Sequence, residues 1–131
     1  MKKNELLHAD LSTVIARSGH NDALVIGDAG LPIPNGPLRI DLALKRGIPG
    51  FIETLQTVLS ELQVERIILA EETRTTSPHI LEQINSLLPN TPIEWVSHEE
   101  FKHRTAGARA VVRTGECTPY ANIILIAGVA F

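Results

Sequence analysis

The sequence predicts an α/β fold: a single domain over residues 1–131, built as a three-layer α/β/α sandwich with a largely parallel central sheet. Two observations carry this. Short runs such as "ALVIG", "IILA" and "IILIA" are apolar at every position, as strands covered on both faces are, whereas strands with one wet face alternate. Between them lie segments whose apolar residues recur at helical spacing, and strands separated by helices imply crossover connections and a sheet covered on both sides. At 131 residues the chain is also long enough to bury a core without disulfides or metal.

Taken in order, Asp10 offers a cap for a first helix with Leu11, Val14 and Ile15 on one face and Gly19 just past its end. "ALVIGD" follows as a strand. Pro and Gly cluster between Gly27 and Gly50 and predict a long ordered loop, with Leu38 to Leu44 alternating enough to form a short strand inside it. In "FIETLQTVLSELQ", Phe51, Ile52, Leu55, Val58, Leu59 and Leu62 share a helical face, and "VERIILAEE" reads as the next strand. Glu71 and Glu72 fall at its end, where neighbours point to opposite faces, so they do not read as a catalytic carboxylate pair. They suit a strand end or an interface, as do Arg113 and Glu116. Ser77 with Pro78 at the first turn predicts a helix through "SPHILEQINSLL", and "IEWVS" reads as extended. Ser97 with Glu100 has the spacing of a capping box for "SHEEFKHRTAGA". The strands "RAVVRTG" and "NIILIAG" complete the sheet. The final "GVAF" is too apolar for a free tail and is expected to pack inside an oligomer.

Composition excludes several classes of function. A formal net charge of -3 supplies no basic field for a nucleic acid or an anionic membrane. The lone Cys117 has no partner for an internal disulfide, "MKKNELLHADLS" breaks into charge too early for a signal peptide, and "NIILIAGVAF" is too short to span a bilayer. The expectation is a soluble cytoplasmic protein. "SHEEFKH" begins like a helical zinc motif, but Lys102 stands where the second histidine is needed, so no metal is expected. "GDAG" lacks the glycine spacing of a dinucleotide turn, no phosphate loop or Gly-x-Ser-x-Gly elbow exists, and Cys117 has no basic partner in sequence. Neither a nucleotide cofactor nor nucleophilic catalysis is supported.

Ligands of such sheets sit outside the carboxyl ends of the strands. Asp28 falls at one such end and His98 just beyond another. His20 precedes its strand, so it joins them only through a neighbouring subunit or a helix that ends near the pocket. Each of these residues also has a plain reading: His20 complements a helix terminus, Asp28 forms a turn before Ala-Gly, His98 is a solvated first-turn residue, and Tyr120 and Asn122 are turn residues.

"GHNDALVIGDAGLPIP" together with "SHEEFK" and "VRTGECTPYANIILIAGVAF" resembles the D-ribose pyranase family, which groups with the fucose mutarotases, over nearly the whole chain. The fucose branch is similar in the histidine-aspartate turn and in a Thr-Gly-Glu stretch before Tyr-x-Asn, while "DAGLPIP" and "TPYAN" are similar to the ribose branch. The resemblance implies a cofactor-free isomerase that exchanges the pyranose and furanose forms of D-ribose, assembled as a decamer of two pentameric rings with sites at subunit interfaces. It implies that His20 is the proton donor and that Asp28, His98, Tyr120, Ala121 and Asn122 bind the sugar. The chemistry fits, because hemiacetal opening needs only proton transfers, and histidine, with an unperturbed pKa of ~6.5, exchanges protons near neutrality. A carboxylate accepts sugar hydroxyls, and an amide both donates and accepts. A mutarotase for fucose or another sugar and a non-catalytic sugar-binding protein are the remaining alternatives.

Overall fold

In the computed structural model, which describes residues 1–131, five helices and six main strands alternate along the chain. They are α1 (Ala9–Arg17), β1 (Ala23–Gly27), β2 (Leu38–Asp41), α2 (Phe51–Leu59), β3 (Val64–Ala70), α3 (Glu71–Thr76), α4 (Pro78–Leu87), β4 (Ile93–Val96), α5 (His98–Thr105), β5 (Ala110–Arg113) and β6 (Ile123–Ala127). The strands form one sheet in the order β2-β5-β1-β6-β3-β4. Every strand runs the same way except β6, which pairs antiparallel with both β1 and β3. The expected largely parallel sheet is therefore present with one reversed strand. Its cause is local: a parallel return requires a crossover, and the loop 114–122 between β5 and β6 contains no helix to provide one.

Side chains alternate across the sheet and split the core in two. Leu24, Ile26, Ile67, Leu69, Val112, Ile123 and Leu125 face α1, α2 and α4, where Leu11, Val14, Phe51, Leu55, Val58, Ile80 and Ile84 meet them. Val25, Ile68, Val111, Ile124 and Ile126 face the other way and are covered by Phe101 of α5 with Leu31 and Ala108. The three expected layers are thus unequal, with one heavy helical side and one light side.

Several local expectations are corrected. His8, not Asp10, caps α1, its Nδ1 accepting from the Leu11 N–H at 3.3 Å. After α1 the left-handed residue is Asn21, with φ 71°, rather than Gly19. Ser97 caps α5 by accepting from the Glu100 N–H at 3.1 Å, but the Glu100 carboxylate turns to Arg104 instead of closing the box. Glu71 and Glu72 do not end a strand: they open α3, a helix whose polar sequence "EETRTT" has no apolar periodicity to announce it. The short strand after the Pro/Gly loop stops at Asp41.

Candidate active site

The carboxyl ends of β1 and β4 and the segment entering β6 converge. Gly27 closes β1 so tightly that an added Cβ would lie 3.0 Å from the Asn122 Oδ1 and 2.5 Å from Leu31 Cδ2. That absence of a side chain lets Asn122, 1 % exposed, reach the strand end and accept from the Asp28 N–H at 2.8 Å. The Asp28 carboxylate in turn accepts from the Gly30 N–H at 2.9 Å, and Arg113 donates to the Ala29 carbonyl at 3.0 Å. Asp28 is thereby held on a short, fully tethered turn.

His98 is the first residue of α5, and its backbone N–H donates to the Glu72 carboxylate at 2.9 Å. The imidazole meets the Tyr120 ring edge-on at 5.0 Å between centroids and stacks toward Phe101 at 6.4 Å. Tyr120 adopts φ 61°, a left-handed conformation that a bulky residue keeps only when its surroundings enforce it. The enforcement comes from α3 and the start of α4. Thr73 Oγ1 donates to the Tyr120 carbonyl at 2.8 Å, and Ser77 Oγ donates to the Pro119 carbonyl at 2.7 Å, both hydroxyls sitting on buried residues. Arg74 of the same helix lies 4.2 Å over the Trp95 ring and so ties α3 to β4.

Two buried polar atoms of this cluster, His98 Nδ1 and Asn122 Nδ2, make no hydrogen bond within the chain. Buried donors and acceptors are nearly always paired, so two without a partner in one place leave hydrogen-bonding capacity that a polar ligand could take up. Burial raises the Asp28 carboxyl above its ordinary value, against the opposing pull of the Gly30 N–H, the Asn122 side chain, the Leu31 N–H and His98. Glu116, one loop away, goes the other way. Burial opposes its charge, but the Phe51 N–H at 3.0 Å and the Thr118 hydroxyl at 2.9 Å outweigh it and hold the carboxyl low. Glu116 thus accepts from the Phe51 N–H in the first turn of α2, beside the Gly50–Glu53 capping box, a contact the sequence does not announce.

The structure thus brings together Asp28, His98, Tyr120 and Asn122. Ala121 lies between the last two with its methyl in the core, fully buried, so only its backbone faces the cluster. His20 is not with them. It precedes β1 and sits at the opposite end of that strand, about 15 Å away along its five residues. There it borders a cleft of about 330 Å³ lined by Ile15, Gln63, Gly128, Val129 and Phe131. Its Nε2 is 2.9 Å from the Glu65 carboxylate. The "GVAF" tail forms part of that cleft and leaves Phe131 fully exposed in the single chain. Glu72, Thr73 and Ser77 are the supporting residues that sequence reasoning missed. Only Gly27 carried a usable signal, a glycine closing an apolar strand next to a polar residue.

Against known proteins, the chain is 60% identical to a D-ribose pyranase of Chloroflexus aggregans and 59% identical to one of Paracidovorax citrulli, each alignment covering both chains completely. Its fold superposes on Bacillus subtilis RbsD complexed with D-ribose with a TM-score of 0.96, at 47% identity over 100% of both chains. The fucose mutarotase of Streptococcus pneumoniae in complex with L-fucose matches with a TM-score of 0.78 and 27% identity over 95% of this chain and 94% of that one. A family model spans residues 1–130, and the chain belongs to the RbsD / FucU transport protein family.

Proposed function

We propose that the chain is a D-ribose pyranase, an isomerase that interconverts the pyranose and furanose forms of D-ribose without a cofactor. The observation that carries the proposal is the convergence of Asp28, His98, Tyr120 and Asn122 at one end of the sheet with two buried polar atoms unpartnered. Carboxylate, imidazole, phenol and amide together offer acceptors, donors and a ring face, which is the mixed surface a sugar presents. The relatives named D-ribose pyranase and the ribose-bound RbsD neighbour support ribose as the sugar.

In the reaction, the anomeric hydroxyl loses its proton while the bond from the anomeric carbon to the ring oxygen breaks and that oxygen gains a proton. The freed aldehyde is then captured by a different hydroxyl, and the same transfers run in reverse. His20 supplies the proton to the ring oxygen in this reading, and its neutral form takes one back on closure. Asp28, His98, Tyr120 and Asn122, with the backbone at Ala121, hold the sugar. Because His20 lies at the far end of β1 from Asp28, the His20 of one subunit completes the sugar-binding cluster of the next in this reading. This arrangement is in keeping with a single sugar-mutarotase domain assembled as a decamer of two pentameric rings, working in the cytoplasm. No helix is long and apolar enough to cross a membrane.

The test is magnetisation-exchange NMR on ribose at equilibrium, comparing wild type, His20→Ala and buffer. Wild type is expected to speed pyranose-furanose exchange, and His20→Ala to lose that acceleration while remaining assembled. Exchange at the buffer rate with assembled wild type would overturn the assignment; fucose and other sugars in the same assay then decide between another mutarotase and a sugar-binding protein.

A further inference from the structure

We propose that Glu65 is a positioning residue for His20, and that a bulge in β3 exists to put it there. Against β6, Val64 pairs with Ala127 and Arg66 with Ile126, so Glu65 is the extra residue of an antiparallel pair. A bulge re-aims the side chain of its added residue, and here that side chain reaches His20 Nε2 at 2.9 Å. Regular pairing would have spent Glu65 on a position opposite β6. Gly128 makes room for it: an added Cβ there would lie 3.0 Å from the Glu65 Cβ.

The His20 side of the pair is equally constrained. Asp22 accepts from the Gly19 N–H at 2.9 Å, and Asn21 takes the left-handed conformation between them. The Asn21 N–H donates to the Ala127 carbonyl at 2.9 Å and the Ala127 N–H to the Asp22 carbonyl at 2.8 Å. The turn is therefore closed by its own backbone and by β6, and does not need the carboxylate. With both side chains at least one-third exposed, the pair also contributes little to stability. What remains for Glu65 is orientation.

An ionised carboxylate accepts and does not donate, so in the neutral imidazole the proton resides on Nε2 and Nδ1 is left free. In the imidazolium, Nδ1–H is the donor that faces away from Glu65. Delivering that proton to the ring oxygen leaves the neutral ring with its remaining proton on Nε2, already bonded to the carboxylate. No rotation or tautomer exchange separates one transfer from the next. The assignment of a catalytic role to His20 comes from the function proposed above; the Glu65 contact itself is independent of it.

Two readouts on the full-length assembled protein test this. In histidine-labelled wild type, the His20 ring nitrogens, identified by their loss in His20→Ala, are expected to show the neutral form protonated at Nε2. Glu65→Gln keeps an acceptor and should preserve that signature, while Glu65→Ala should lose it. In ribose exchange, Glu65→Ala is expected to lower kcat about tenfold or more with KM within about twofold of wild type, as a group that orients the catalyst and not the sugar would. Glu65→Gln should recover much of that loss. An unchanged nitrogen signature in Glu65→Ala, or full kcat in that variant beside an active wild type, would overturn the role. Inactive wild type with the expected signature would instead sink the pyranase reading and leave the Glu65 contact standing.

Discussion

Replacing Gly27 with alanine tests whether the Asp28–Asn122 cluster depends on the close approach of β1 to the segment entering β6. The new methyl would sit 2.5 Å from Leu31 Cδ2 and 3.0 Å from the Asn122 Oδ1. Leu31 can rotate its terminal methyl, but its Cβ, 3.0 Å from the added atom, must give with the backbone, so the overpacking cost is about 1 kcal/mol. Asn122 has no such freedom, because moving its oxygen lengthens the 2.8 Å bond from the Asp28 N–H, adding about 1 kcal/mol more. A total of roughly 2 kcal/mol corresponds to a Tm lower by about 6 to 10 °C for a chain of this size. The same movement tilts Asp28 and Asn122 together, so KM for ribose is expected to rise. Calorimetry and ribose exchange on Gly27→Ala, with Gly107→Ala as control, measure both. At Gly107 the added atom meets nothing nearer than the Arg104 carbonyl at 3.9 Å, so that variant should melt like wild type. A Gly27→Ala protein that melts within about 2 °C of wild type and saturates at the same ribose concentration would refute the argument.

Thr73→Val keeps the shape of a buried side chain but strips the hydroxyl from the Tyr120 carbonyl; a loss of about 1 to 3 kcal/mol, with ribose affinity falling alongside stability, is expected by calorimetry and titration. Asp28→Asn should stabilise the protein at neutral pH while weakening sugar binding. The raised Asp28 carboxyl makes the folded state bind more protons, so stability drains away as pH rises above the unfolded value of 3.8, and the variant's gain should vanish below it. Glu116→Gln has the opposite sign: its carboxyl is lowered, so its contribution is present above the unfolded value of 4.5, is lost as pH falls through the folded value, and is missing from the variant at neutrality. Melting curves across that pH range separate the two.

The sheet was legible because β1, β6 and the Ile67–Ala70 half of β3 are apolar at every position, and burial on both faces demands that pattern. The direction of β6 was not, since an all-apolar run reads alike in either sense, and only the helix-free loop before it hints at reversal. The placement of Asp28 and His98 just after strands, and of His20 before one, was legible, while the roles proposed for them come from the family resemblance. The parts that hold them were not: α3 has no hydrophobic stripe, and Thr73 and Ser77 are ordinary polar residues until the fold brings them under the 117–122 loop. Sequence spacing shows periodic burial well; it shows contacts between distant polar groups hardly at all.

The separation of His20 from Asp28 along β1 has a kinetic meaning. With the roles proposed for these residues, a protomer that carries its proton donor at one end of β1 and its sugar ligands at the other is expected to be folded yet inert alone, with turnover per subunit a function of how much protein is present. Dilution below the assembly constant silences such an enzyme without unfolding it, and concentration restores it. The quantity to control, in a tube or in a cell, is then the association of subunits, and specific activity measured at one dilution does not carry over to another.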